Sequence, residues 1–88
     1  MELLALTPEK ELFSGKISSV KVPGISGQFE ILNGHAPIVA ALAKGEVRIL
    51  DETGAKTTFN IEKGFVEVVN NEVSLLIQAL QELSLIHI

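Results

Sequence analysis

The pattern that indicates the fold most directly is TTFNIEKGFVEVV, which runs from residue 57 to residue 69. In its first half, Thr57, Phe59 and Ile61 alternate with polar residues and so share one face of an extended strand. In its second half, Gly64–Val69 is apolar on both faces except at Glu67, which favours a strand covered on both sides or lying against a partner. A period of two residues predicts β-strands here.

The flanking sequence repeats the same alternation. Downstream, Glu72–Gln78 places Val73, Leu75 and Ile77 on one face, and upstream Gln28–Ile31 and Glu46–Ile49 alternate in the same way. The period slips at Ser18-Ser19, which predicts a bulge or a crossing between sheets. Three apolar residues fall out of phase with their strands, and they are either exposed contacts or are returned to the core by bulges: Leu50, Val69 and Leu76.

Turn signals separate these runs at intervals of about ten residues, the spacing of a sandwich or barrel. They are Pro23-Gly24, Ser26-Gly27, Asn33-Gly34, Lys44-Gly45, Thr53-Gly54, Lys63-Gly64 and Asn70-Asn71. Asp51–Gly54 and Asn70-Asn71 are predicted hairpin tips. Thr7–Glu11 is predicted as a tight turn, and residues 35–43 as strand or irregular extended structure because Pro37 lies inside.

Length and composition bound the class of protein. The 88 residues favour one domain, and an apolar fraction of 47% argues against disorder. The core must be aliphatic, since there are four Phe and no Tyr or Trp. There is no cysteine, and a net charge of −4 argues against nucleic-acid binding. No signal peptide or membrane-spanning stretch is recognisable, so a membrane link would go through a partner.

Titratable groups are too few and too scattered to suggest an enzyme. The chain has two histidines, and His35 is predicted to bond a loop carbonyl and hold its turn. The acidic pairs Glu9/Glu11 and Asp51/Glu52 lie beside turns and are read as solvated charges, not metal ligands. There is no phosphate-binding glycine loop, and no cofactor is expected. Surface complementarity is therefore the predicted mode of action.

Seven short segments, read in order, resemble one known family. They are Leu6–Glu9, Leu12–Gly15, Val20–Gly24, Gly27–Leu32, Gly34–Pro37, Leu42–Ile49 and Gly64–Val68. Together they resemble the N-terminal β-sandwich of the epsilon subunit of the F-type ATP synthase, called delta in mitochondria, from about Leu4 to Ile77. Gly34-His35-Ala36-Pro37 is the most specific of these segments.

This resemblance implies a ten-stranded β-sandwich of two packed sheets in the central stalk, on the cytoplasmic face of the bacterial inner membrane. It implies a non-catalytic rotor subunit of the proton-translocating enzyme that binds the gamma subunit and the c-ring and couples rotation to ATP synthesis. By position, Thr7, Pro8, Val39 and Ala40 would face gamma. Gln28, with His35, Ala36 and Pro37 nearby, would face the polar loops of the c-ring.

The sequence departs from the family at a few positions. Glu30, Asn33 and Lys63 stand where many relatives have Gly, Pro and Gly. The sandwich is expected over residues 1–78, without the C-terminal helical hairpin of many bacterial relatives, and hence without helix-based inhibition or a nucleotide site. Residues 79–88 are expected to be a short apolar tail, ending in LSLIHI, which is interpreted as a truncation or scar, a helix stub or an interface strand.

The alternative is another small β-sandwich binding module, or a carrier of the biotinyl or lipoyl kind. A carrier would present a modifiable lysine at a hairpin tip, and Lys44 and Lys63 are the candidates at turns. Neither lysine has the apolar or acidic flanks expected of such a site.

Overall fold

The computed structural model describes residues 1–79, which form seven β-strands and no helix. The strands are β1 (Glu2–Leu6), β2 (Glu11–Gly24), β3 (Gly27–Leu32), β4 (Ile38–Leu42), β5 (Gly45–Asp51), β6 (Lys56–Val69) and β7 (Glu72–Ala79). The all-β prediction is confirmed. The predicted tail, and with it the division of the chain after residue 78, lies outside the described residues apart from Ala79, which ends β7.

The strands form one hydrogen-bonded network in the order β1-β7-β6-β4-β2-β3, with β5 joining β2 to β6. β1 pairs in parallel with β7 and antiparallel with β2, so the network closes on itself. β2 and β6 are each 14 residues long and change partners along their length. The first part of β2 pairs with β1 and the second with β3 and β5, whereas β6 pairs first with β5 and then with β4 and β7.

The count of ten strands in two packed sheets stays a prediction. Seven strands are present in the structure, and the segments that a higher count would separate are continuous in β2 and β6.

The core is aliphatic, as predicted. Val73, Leu75 and Ile77 point inward from β7, and the buried apolar residues come from all seven strands. The fully buried large side chains are Leu3, Ile17, Val20, Val22, Ile31, Val47, Ile49, Ile61, Val66, Val68, Val73 and Leu75. Phe13, Phe29 and Phe59 pack only at its margin.

Most of the predicted irregularities are confirmed. The pairing of β2 with β5 shifts register between Ile17 and Ser19, where the sequence period slips. Thr7 closes a tight turn: its hydroxyl donates to the carbonyl of Lys10 and accepts from the Lys10 amide, both at 3.1 Å. Asn70 and Asn71 form the tip of the β6–β7 hairpin, with φ angles of 51° and 63°. Residues 35–37 are irregular and lead into β4, as expected.

The turn predicted at Lys63-Gly64 is wrong. β6 continues through these residues with only a register shift between Ile61 and Lys63. Gly64 is needed for close approach, because a Cβ there would lie 2.6 Å from the carbonyl oxygen of Leu76. A glycine after a polar residue can therefore mark either a turn or a close approach of two paired strands. The sequence alone does not distinguish these two cases.

Candidate partner-docking surface

An apolar row crosses the outer face of four strands. The cross-strand register places Leu6 of β1 opposite Leu76 of β7, Leu76 opposite Phe65 of β6, and Phe65 opposite Ala41 of β4. Phe65 is 58% exposed and Leu76 55% exposed, while their strand neighbours Val66 and Leu75 are buried. Because side chains opposite one another on paired strands are adjacent, these four form a continuous apolar strip on the outside of the molecule.

A second row runs beside the first. Leu4 is paired with Ser74, Ser74 with Glu67, and Glu67 with Val39, and Val39 is 71% exposed. Glu67 is the one charged residue in these two rows. We call the two rows the apolar face. Most isolated exposed apolar residues need no explanation, but a contiguous patch of this kind marks an interface.

The apolar face deepens at one end into a groove of about 670 Å³. Its lining includes Leu6, Phe65 and Leu76 of the apolar row together with Pro8 and Ile25, and Ile25 is 68% exposed. A concave apolar surface of this size can accept large side chains of a partner.

Three of the four residues predicted to face gamma lie on or beside this face. Thr7 and Pro8 line the groove, and Val39 belongs to the second row. Ala40 does not share that face, because it alternates with Val39 along β4 and packs against the core. Phe65 and Ile25 were not singled out by sequence reasoning. The signal available for Phe65 was the apolar character of both faces of Gly64–Val69.

The three apolar residues that fall out of phase with their strands, Leu50, Val69 and Leu76, do not all have the same surroundings. Val69 and Leu76 are exposed at 42% and 55%, so bulges do not return these two to the core, and their role as contacts stays a prediction. Leu50 is half-buried and lines a different, smaller pocket.

The residues predicted to face the c-ring occupy two separate places. Gln28 is exposed at the start of β3, beside the β2–β3 hairpin turn, and His35, Ala36 and Pro37 follow its far end. A strand rises about 3.3 Å per residue, so Gln28 and Leu32 are about 13 Å apart. The amide of His35 donates to the carbonyl of Leu32 at 3.0 Å, which keeps His35 at that end. The expectation that Gln28 lies near His35–Pro37 is wrong, because an extended strand separates them.

His35 behaves as predicted. Its ring Nδ1–H donates to the carbonyl of Ala36 at 2.8 Å within the same loop. The loop is also tied to the β6–β7 tip, because Asn71 Oδ1 accepts from the Gly34 amide at 2.8 Å and Asn71 Nδ2 donates to Asn33 Oδ1 at 2.7 Å. Ala36 and Pro37 remain exposed.

Within residues 1–79, no three His, Cys, Asp or Glu side chains gather closely enough to hold a metal ion. Among the same residues there is also no helix of the length and hydropathy that crossing a membrane requires.

Comparison with known proteins gives a consistent family. The family model described as the beta-sandwich domain of the ATP synthase delta/epsilon chain matches residues 1–82. The ATP synthase epsilon chain of Chlorobaculum tepidum is 48% identical over 71 residues, which are 81% of each chain. That of Protochlamydia amoebophila is 38% identical over 79 residues, which are 90% of this chain and 54% of the relative. Relatives of similar length and longer ones therefore both occur.

Solved structures show the same fold. A chain in the cryo-EM structure of the Euglena gracilis mitochondrial ATP synthase (OSCP/F1/c-ring) superposes with a TM-score of 0.80 at 23% identity, covering 85% of this chain and 48% of that one. A chain in the central stalk/c-ring structure from Tetrahymena thermophila gives 0.75 at 19% identity, covering 88% of this chain and 62% of that one.

Proposed function

The chain belongs to the delta/epsilon family of ATP synthase subunits, and we propose that it is a non-catalytic central-stalk subunit that binds gamma and the c-ring. In this role it couples ion-driven rotation to ATP synthesis by fixing the shaft to the ring. It acts at the membrane only through the complex, on the cytoplasmic face of the bacterial inner membrane. The ten-stranded, two-sheet count belongs to the same proposal, with each 14-residue strand serving both layers.

The apolar face is the observation that carries this proposal. An isolated soluble domain gains nothing from holding Phe65, Leu76 and Val39 in water, since burying apolar surface releases about 25 cal/mol per Å². A permanent partner in an assembly removes that cost. Gamma is the partner we assign to the face, because the predicted gamma-side residues Thr7, Pro8 and Val39 lie on or beside it.

The ring contacts have a different chemistry. Gln28 and the loop His35–Pro37 are polar or small and lie at the two ends of β3. We assign both ends to the polar loops of the c-ring, where Gln28 contributes hydrogen bonds and not an ion pair. Because the ends are about 13 Å or more apart, they would reach different loops of the ring.

Purified gamma provides the test. We expect Leu76→Gln to weaken binding of gamma by about five- to thirtyfold, since truncating a central apolar contact costs about 1–2 kcal/mol. Leu32→Gln is the matched control, because Leu32 is 54% exposed against 55% for Leu76 but lies on β3, away from the apolar face. Calorimetry with both variants, after equal melting temperatures are verified, would measure the difference.

Two results would contradict the proposal. One is unchanged affinity for gamma in Leu76→Gln. The other is an equal loss in Leu32→Gln, which would show that general surface hydrophobicity and not this face is responsible.

A further inference from the structure

A second face of the molecule carries a cluster of positive charge. It is the outer surface of the second half of β2 with β3, β5 and the start of β6, away from the apolar face. The register places Lys21 opposite Arg48 on one side and opposite Glu30 on the other. One step along, Ser19 is opposite Leu50, and Leu50 is opposite Lys56. These six side chains line one pocket of about 160 Å³.

The charge of this pocket is opposite to that of the chain. The whole chain has 7 basic and 11 acidic residues. The pocket lining has three cations, Lys21, Arg48 and Lys56, and one carboxylate, Glu30. Nearly half of the basic residues are therefore gathered at one small concavity, although the protein as a whole repels anions.

These cations are poorly neutralised by the protein itself. Lys21 and Arg48 are directly opposite on paired strands, an arrangement that destabilises a sheet. Within residues 1–79, the ion pair that forms is between Arg48 and Glu46 at 3.2 Å, and neither Lys21 nor Lys56 has a carboxylate within 4 Å. Arg48 has five N–H donors and uses one of them on Glu46. An anion between the strands would relieve the repulsion.

Ser19 provides an independent observation. Ser19 is only 7% exposed, which makes it the one polar residue classed as buried within residues 1–79, and it lines the pocket. Its neighbour Ser18 donates to the carbonyl of Asp51 at 3.3 Å, whereas the Ser19 hydroxyl makes no hydrogen bond to any residue the structure describes. Within residues 1–79 no buried side-chain oxygen or nitrogen lacks a partner, so the Ser19 hydroxyl is reached by solvent at the pocket and is free to donate to a ligand there.

The size of the pocket suits a small anion. One water needs about 10–15 Å³ of cavity volume of this kind, so a pocket of about 160 Å³ has room for a small polyatomic anion and several waters. A tetrahedral oxyanion has five heavy atoms and fits this volume. Arginine presents a planar fork of donors that matches phosphate oxygens, and lysines add point charges.

We propose that the pocket of Ser19, Lys21, Arg48 and Lys56 binds a phosphate group. Its source is either free inorganic phosphate or the terminal phosphate of a nucleotide whose remaining parts stay in solvent. Arg48 is the main donor, Lys21 and Lys56 supply charge, and Ser19 donates its hydroxyl hydrogen. The site does not depend on the stalk role, because it lies on a different face from the apolar one.

Amide chemical shifts of the ¹⁵N-labelled chain provide the test. Titration with inorganic phosphate, against sodium chloride at matched ionic strength, should give saturable shifts centred on Ser19, Lys21, Arg48 and Lys56. Arg48→Gln should raise the dissociation constant about tenfold, since a charge-assisted bond is about twice as strong as a neutral one. Ser19→Ala should raise it about threefold.

The control is Lys10→Gln. Lys10 is an exposed cation in the turn between β1 and β2, outside the pocket, so this variant loses the same net charge and should retain phosphate affinity. ADP titrated in parallel distinguishes the two sources: tighter binding than phosphate at the same amides identifies a nucleotide, and weaker or equal binding identifies free phosphate. Shifts reproduced by chloride, or an equal loss in Lys10→Gln and Arg48→Gln, would overturn the proposal.

Discussion

Asn71 ties together two loops that are distant in the sequence. With φ of 63° it forms the second residue of the β6–β7 tip, and its side chain bonds both Asn33 and Gly34. The tip itself could be predicted from Asn70-Asn71, since Asn tolerates a left-handed conformation. The contact with Asn33 could not, because nothing in either segment shows that they meet.

The pair Asn70 and Asn71 allows a matched measurement. Glycine accepts positive φ at both sites, so Asn71→Gly and Asn70→Gly differ mainly in the bonds to Asn33 and Gly34. We expect Asn71→Gly to lower the free energy of unfolding by about 1–2 kcal/mol and Asn70→Gly to change it by less than about 0.5 kcal/mol. Urea denaturation measures both. Equal effects would mean that the cross-loop bonds contribute nothing.

Asp51 links stability to acid pH. Its carboxylate accepts from the Thr53 hydroxyl at 2.7 Å and from the amides of Thr53 and Ala55. The Thr53 hydroxyl is the main cause that lowers the pKa of Asp51 below its usual 3.8, with backbone amides adding to it against the opposing effect of desolvation. A lowered folded-state pKa means that the stabilisation is present above pH 3.8 and is lost as the pH falls below it.

The test compares melting temperatures between about pH 5 and about pH 2. Asp51→Asn cannot titrate, so the advantage of the natural chain over this variant should shrink as the pH falls through that range. Thr53→Val removes the strongest bond to the carboxylate and should show a weaker dependence on pH than the natural chain. If the natural chain and Asp51→Asn lost stability in parallel, the tip of this hairpin would have no part in acid sensitivity.

β6 shows what alternation can and cannot predict for a whole element. The inward positions Ile61, Val66 and Val68 do not keep a single period, because the register shifts between Ile61 and Lys63. The alternating pattern predicts each half of β6 as a separate strand. The uninterrupted length of 14 residues was missed because Lys63-Gly64 has the composition of a turn. What keeps the strand continuous is its pairing with β7, which runs along β6 from Ile61 to Val69 and so spans Lys63-Gly64.

The close approach of β6 to β7 at Gly64 should not tolerate any side chain at residue 64. A Cβ there would lie 2.6 Å from the Leu76 carbonyl oxygen and 2.7 Å from Ile77 Cγ2, so one strand must move. We expect Gly64→Ala to lower the free energy of unfolding by about 1–3 kcal/mol. Glu67→Ala, an exposed change on the same strand, should cost less than about 0.5 kcal/mol. A neutral Gly64→Ala in thermal unfolding would show that the two strands can separate freely.

At the scale of the whole molecule, the fold presents chemically different faces from one small core. β1, β7, β6 and β4 present the apolar face, and the outer surface of β3, β2 and β5 presents the basic pocket. The sequence predicted the class of fold and the aliphatic core, because both follow from alternation and composition. The two faces depend on register between distant strands, such as Leu6 with Leu76 and Lys21 with Arg48, and no local pattern contains that information.

The two ends of β3 can be tested for contact with the c-ring by cross-linking. The chain contains no cysteine, so a single cysteine introduced at Gln28 or Ala36 is the one thiol on this chain that a cross-linker can reach. Assembled with gamma and the c-ring, Gln28→Cys and Ala36→Cys should each form an adduct with a ring subunit through a short bifunctional reagent. Because Gln28 lies at one end of β3 and Ala36 follows the other end, about 13 Å along the strand, the double variant should capture two ring subunits on one chain. Leu76→Cys, on the apolar face, should cross-link to gamma instead. A Gln28→Cys adduct with gamma alone would place that end of β3 on the shaft and leave only the loop after Leu32 for the ring.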